Sequence, residues 1–322
     1  MKLVLEEDLS GLPEAAPVFG MRAWLEATRR ALPAFPLKVL KVYKGETFVA
    51  YLPLQFIARG GLIKAFTPVL TFYGGPYFTA ERRKYFNEDV KERYEILASI
   101  LAWLESHSHY AMLLPESCDA RPALERGWRC LPRYTVVNLL KSGTSLEFNR
   151  ASSKSIRKAE EAGLRLGETA GDGAFQTAFT RTFVRKGLAM KWKPQWATDL
   201  RRELTGSGLM EHLAVSTPEG KEIAFASVAL DKLGKSAILW YSCSLAEADA
   251  TGAMHFMLSE LILRYRGEYE TFDLCGADHR SLSEFKEKFA NRLDARFSLE
   301  KYRGPISWLA MKGYEKARGM LG

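Results

Sequence analysis

The chain is poor in the residues that build metal centres and disulfide frameworks. It has 4 cysteines and 5 histidines among 322 residues. Cys118, Cys130, Cys243 and Cys275 stand apart without Cys-x-x-Cys spacing, which argues against a zinc ligand set and a secreted disulfide scaffold. A Gly-x-Ser-x-Gly elbow, a Walker phosphate loop and a Gly-x-Gly-x-x-Gly fingerprint are all missing, so a serine hydrolase, a P-loop NTPase and a dinucleotide enzyme have no motif behind them. No run approaches the ~18 apolar residues that cross a bilayer. Met1–Ser10 carries Glu6, Glu7 and Asp8 rather than the apolar stretch of a secretory leader. Reduced thiols and a cytoplasmic location are the expectation, with no metal bound.

What the sequence does have is a large apolar budget: 47% hydrophobic and 12% aromatic residues. A single core stops growing near ~250–300 residues, so two domains are expected, 1–145 and 146–322. The formal charge is +8, spread over both parts rather than gathered in a tail. A mild basic excess favours anionic partners such as CoA phosphates, tRNA, nucleotide-linked precursors or acidic lipid headgroups met by peripheral membrane contact. Oligomeric state is not legible.

Periodicity predicts a helix near 19–31, a hairpin of Lys38–Tyr43 and Thr47–Ile57, and an apolar run Leu62–Tyr73 broken by Gly74-Gly75-Pro76. A long helix near 87–106 follows, then strands His109–Leu114 and Tyr134–Leu140 around a small helix near 119–127. The second part opens with a helix capped at Ser152 or Ser153 and stopped at Gly163. Helices near 173–187 and 195–205 precede strands Glu211–Ser216, Glu222–Leu230 and Ser236–Cys243. A helix near 251–266, strand Glu270–Cys275, a helix near 281–290, strand Arg296–Tyr302 and a helix near 307–319 complete it. Helix, antiparallel strands, helix, strand, helix, strand therefore occurs twice. This predicts an α/β (α+β layered) fold with mixed, mostly antiparallel sheets flanked by helices. The order resembles two GNAT acyltransferase domains in tandem.

Four segments resemble the FemAB family of aminoacyl and acyl transferases: Tyr51-Leu52-Pro53-Leu54 with Tyr73-Gly74-Gly75-Pro76-Tyr77-Phe78; Ser152–Ala159 with Ala162-Gly163-Leu164; Phe272-Asp273-Leu274-Cys275-Gly276; and Phe285-Lys286-Glu287-Lys288-Phe289. The resemblance implies an N-acyltransferase that moves an acyl or aminoacyl group from acyl-CoA or aminoacyl-tRNA to an amine. A peptidoglycan precursor is the acceptor it suggests, in cell wall biogenesis, and the active site would lie in the second domain. Two features depart from the family: Phe289 is followed by Ala290 and Asn291 rather than glycine, and a long helical-hairpin insertion has no room. A non-catalytic module binding a nucleotide- or lipid-linked glycan precursor is the alternative.

Lys286 lines the active site by resemblance, either as a fixed charge for a developing oxyanion or as a desolvated base; a solvated helix lysine is the plain reading. Asp273, ending an apolar strand, is a site acid or a cap for the next turn. Tyr73, Gly74 and Gly75 would admit a ligand close to the backbone or simply end a strand. Trp240 and Tyr241 would hold the acyl group or fill the core. Thr251, Gly252 and Ala253 open a helix whose free N–H groups could hold a donor pyrophosphate. The loop before them carries Glu247 and Asp249, with no glycine run and no flanking arginine. His279 is a proton carrier or a loop histidine, and Phe285 a substrate contact. Residues 181–202 hold seven basic side chains interleaved with Trp192 and Trp196, and Arg157 adds to the field: a phosphate ligand's surface or a solvated basic face.

Overall fold

Alternating apolar residues and short turns fold the first part of the chain into an antiparallel meander: β1 (Lys2–Glu6), then helix α1 (Arg22–Ala31), then β2 (Leu37–Lys44), β3 (Thr47–Arg59) and β4 (Leu62–Phe66). The computed structural model describes residues 1–59, 62–79, 83–107, 109–113, 118–140, 148–169, 171–185, 187, 193–278, 280–302, 304 and 309. The strand expected over Leu62–Tyr73 stops at Phe66, because Pro68 removes a ladder donor and Leu70 takes a positive φ of 68°. A two-residue strand β5 (Tyr77–Phe78) pairs with β3. Helix α2 (Phe86–His107) leads to β6 (His109–Leu113), which runs parallel to β4. Helix α3 (Arg121–Glu125) and strand β7 (Arg129–Leu139) follow.

The second meander repeats the plan. Helix α4 (Arg150–Glu161) precedes β8 (Arg165–Glu168), α5 (Asp172–Arg185), α6 (Pro194–Leu204), β9 (Met210–Ser216), β10 (Glu222–Asp231) and β11 (Ser236–Ser244). Helix α7 (Ala253–Tyr265) crosses to β12 (Thr271–Asp273), parallel to β11. Helix α8 (Arg280–Lys286) and strand β13 (Arg292–Lys301) follow. The cap of α4 is Asn149, whose side chain accepts from Ser152 N at 2.9 Å, so neither serine caps it. Gly163 does stop it, with φ 69°. The helix expected near 307–319 lies outside the described residues, Leu309 apart.

The chain divides into two units, Met1–Arg133 with Ala295–Gly322, and Tyr134–Asp294. The division falls inside β7 and inside β13, not at residue 145. The reason is an exchange of final strands. In the first unit the order is β1-β2-β3-β4-β6-β13, and in the second β8-β9-β10-β11-β12-β7. Each is an antiparallel meander, one parallel neighbour reached through a helix, and one further antiparallel strand. Chain continuity would put β7 beside β6 and β13 beside β12. Instead β13 pairs with β6 (Ser298 opposite Leu113), and β7 pairs with β12 (Asn138 opposite Phe272). Each unit has its own core: Leu40, Leu52, Ile100 and Leu299 in the first, Val228, Met257, Leu261 and Phe272 in the second.

Candidate active site

The chemistry-bearing motifs of the second unit gather where β11 and β12 part. The two strands pair over three residues only, Ser236–Ile238 against Thr271–Asp273. Beyond Asp273 the chain follows β7 instead: Leu274 N donates to Val136 O at 3.0 Å and Ala277 N to Tyr134 O at 2.8 Å. Leu239–Ser244 of β11 thus have no strand on that side among the described residues. β11 also carries a bulge. Ser227 of β10 faces Tyr241 and Val228 faces Leu239, which leaves Trp240 as the extra residue. A bulge bends a strand and raises its local twist, and here it lies where the two strands separate.

A short turn bends the chain off β12. Asp273, 2% exposed, accepts from Cys275 N at 2.8 Å and from Thr135 Oγ1 at 2.5 Å. Cys275 and Gly276 then both take left-handed φ, 52° and 50°. That conformation costs a non-glycine residue about 1–2 kcal/mol. Lys286, 8% exposed at the end of α8, offsets it. Its Nζ donates to the carbonyls of Leu274 (2.6 Å) and Cys275, with Gly276 O at 3.5 Å. An ammonium has three donors and no acceptor, so this cluster of carbonyls suits a fixed positive charge and not a proton acceptor. Asp273 caps the turn.

Phe285, beside Lys286, anchors α8. It meets His255 edge-on at 5.1 Å and packs on Phe289 at 5.7 Å. Burial first, then the charge of Lys288, lowers the pKa of His255. The sequence reading missed His255, since a histidine in the first turn of an apolar helix carries no motif. Trp240 is buried. Tyr241 is partly exposed and packs edge-on against Phe179 of α5 at 5.0 Å. Burial, with a smaller contribution from Cys275, pushes its phenol pKa upward.

Other expectations are altered. A Cβ on Gly252 would stand 2.2 Å from Ser155 O, so α4 covers the start of α7. Ala253 N meets Thr251 Oγ1 at 3.3 Å, and Gly252 O accepts from His255 N and Phe256 N. At this helix end Thr251 and Gly252 are half-buried and Ala253 is buried. Arg157 is exposed and pairs with Glu161 at 3.3 Å. The basic stretch is threaded with acids from elsewhere: Arg181 and Arg185 share Asp249, while Arg201 and Arg202 share Asp172. Trp196 is partly buried at the start of α6. Trp192 and His279 lie outside the described residues. Tyr73, Gly74 and Gly75 are buried in the first unit, where a Cβ on Gly74 would meet the Thr67 side chain at 2.4–2.9 Å. Gly74 serves close packing, and Gly75 takes a positive φ of 92°.

Among the described residues no group of histidine, cysteine and acidic side chains could hold a metal, and no helix is long and apolar enough to cross a membrane. No family model and no curated protein matches the sequence. Solved structures do match the fold. FemX superposes with a TM-score of 0.64 at 15% identity, covering 90% of this chain and 93% of its own. A C-terminal domain described as belonging to a lysylphosphatidylglycerol synthetase of Agrobacterium fabrum gives 0.53 at 15%, covering 90% and 92%. L-PGS from Bacillus licheniformis gives 0.53 at 12%, covering 91% and 96%. The chain has the FemAB-like, GNAT-type fold.

Proposed function

We propose that the protein is an acyl or aminoacyl transferase that acylates an amine, with the donor's carbonyl held where β11 leaves β12. The observation that carries this reading is the three-residue pairing of those strands with the bulge at Trp240 beside it. Where two strands part, backbone N–H groups that leave the ladder stand in fixed positions, and such donors stabilise an oxyanion without reorganising. The amine nitrogen attacks the carbonyl carbon, the tetrahedral oxyanion forms, and its collapse breaks the bond to the donor's sulfur or oxygen, which leaves as thiol or alcohol with the proton the amine gives up. Lys286 serves as fixed charge and as the clamp of the turn, and Asp273 positions that turn.

The close approach of α4 to Gly252 disfavours a donor whose pyrophosphate rests at the start of α7. It leaves aminoacyl-tRNA, or an acyl-CoA bound in another way, as co-substrate. A cell-wall precursor amine is the acceptor we favour, from the likeness to FemX, with cytoplasmic location the accompanying expectation. A glycan-binding module without catalysis is the second reading, favoured by the engagement of Lys286 with carbonyls. A thermal-shift titration against acetyl-CoA, longer acyl-CoAs, aminoacyl-tRNA and a nucleotide-linked muropeptide separates the two. The transferase reading expects saturable stabilisation by an acyl donor. Stabilisation by the muropeptide alone would hand the lead to the binding module.

A further inference from the structure

We propose that the anionic carrier of the donor docks on Arg181 and Arg185 of α5, at the end of β11, instead of on the start of α7. This inference rests on the transferase reading. Arg181 Nη2 and Arg185 Nη1 reach the two oxygens of one carboxylate, Asp249, at 2.5 and 2.7 Å. Arg181 Nη1 also donates to Ser244 O at 3.3 Å. Ser244 is the last residue of β11, so the pair is tied to the strand that parts from β12. The residues lie 68 positions apart for Arg181 and Asp249, which is why the loop Ser244–Ala250 reads in sequence as lacking arginine.

Three features make this a place for a phosphate. Two guanidiniums share one carboxylate, so a positive charge is left over, and guanidinium presents paired N–H donors that match phosphate oxygens. The nearby Lys221 and Glu247 neutralise each other at 2.6 Å and leave that balance unchanged. A depression of about 590 Å³ opens against the same helix face, where Thr180 adds a hydroxyl and Val184, 75% exposed, an apolar contact, while the Gln176 amide donates to Gln195 Oε1 at 3.1 Å. Position agrees as well. Ser244 lies four residues beyond Trp240, about 13 Å along an extended strand. A carrier with its acyl end at the bulge and a phosphate ester beyond the strand's end spans that interval.

Binding of three probes by fluorescence anisotropy or calorimetry tests the site: free CoA, a short RNA minihelix ending in CCA, and the N-acetylcysteamine thioester of an acyl group, which has no phosphate. Wild-type protein is expected to bind one of the two phosphate probes saturably, with affinity falling as salt rises. Which of them binds identifies the carrier. The R181Q/R185Q double variant should bind that probe at least about tenfold more weakly, and Arg185→Gln alone about threefold more weakly, since each removes a charge-assisted contact. Asp249→Asn removes the competing carboxylate and should bind at least as tightly as wild type. Because the arginines also tie α5 to the following loop, melting temperatures accompany each variant, and Arg185→Gln keeps the Arg181 contacts. The inference is overturned if a folded double variant binds like wild type, or if neither phosphate probe binds. If neither binds while the phosphate-free thioester does, this docking site falls and the transferase reading stands.

Discussion

Two of the glycine-bearing segments that resemble the family are used by the protein in opposite ways. Tyr73-Gly74-Gly75-Pro76 in the first unit is closed: all four residues are buried, and Gly74 lies against Thr67. Arg296 covers the Tyr73 ring at 3.9 Å, and the Tyr77 hydroxyl bonds to Tyr73 O. Asp273-Leu274-Cys275-Gly276 in the second unit is a bent turn beside a parted strand, its carbonyls gathered on an ammonium and its last glycine exposed. A glycine that lacks room for a Cβ marks packing. A glycine at positive φ marks a bent backbone, as Gly276 and Gly75 both do. What distinguishes the second segment is the ammonium on its carbonyls, and that cannot be told by spelling.

Removing the ammonium should give the largest effect. Lys286→Met keeps the chain's bulk but strands the Leu274 and Cys275 carbonyls, and we expect about 4 kcal/mol of lost stability in urea unfolding. The loss should fall on the second unit. A Lys286→Met protein as stable as wild type would remove the clamp from this account and return Lys286 to a purely chemical role.

Acid should separate the units next. His212 of the second unit contacts Ser227 Oγ at 3.1 Å and Arg201 O at 3.0 Å. Burial, aided by the Arg201 charge, lowers its pKa from 6.5 to about 4. The unfolded chain therefore takes up a proton below 6.5 that the folded protein refuses until about 4. Stability is full above 6.5 and falls between those values, by about 3 kcal/mol at most. In the first unit the sensitive groups are carboxylates. The Arg83 hydrogen bonds, with Lys44, lower Glu92 from 4.5 to about 2. Its contribution persists above 4.5 and fades only as pH drops toward 2. Urea midpoints followed from pH 7 to 4 should decline for the second unit first, and His212→Gln should flatten that decline.

Much of the fold was legible because its signals are local. The hairpin of β2 and β3, the α2 and α7 stripes and the Gly163 stop all lie within short windows. The short strands β1 and β8 were missed, since four or five residues give too little alternation to count. The exchange of β7 and β13 was illegible for another reason: both strands have ordinary patterns, and their partners are chosen by the whole sheet. At the candidate site, Lys286 and Asp273 stood out through motif spelling. Their roles were not, because a lysine that clamps carbonyls and one that takes a proton read alike. Arg181 and Arg185 were seen as a basic stretch, but the carboxylate that pairs them lies far along the chain.

Filling the closed glycine should do more harm than filling the open one. Gly74→Ala drives a Cβ to within 3 Å of three Thr67 side-chain atoms, and overpacking of this kind costs about 2 kcal/mol. Donor binding should be unaffected, because Gly74 is buried in a unit that contributes none of the residues proposed to bind it. A matched loss of binding would mean that the first unit shapes the site.

Gly276→Ala is the smallest effect and the sharpest test. The added Cβ meets nothing nearer than Lys286 Nζ at 3.9 Å, so the strain is confined to the backbone, where φ is 50°. Stability should drop by about 1 kcal/mol, the toll of a left-handed alanine. Activity should fall further than stability does, because relaxing that φ swings the carbonyls of Cys275 and Gly276 away from Lys286 and moves the charge they hold. If transfer rates instead track the small stability loss alone, the turn is a tolerant loop, and the contrast with Tyr73–Pro76 reduces to one of packing.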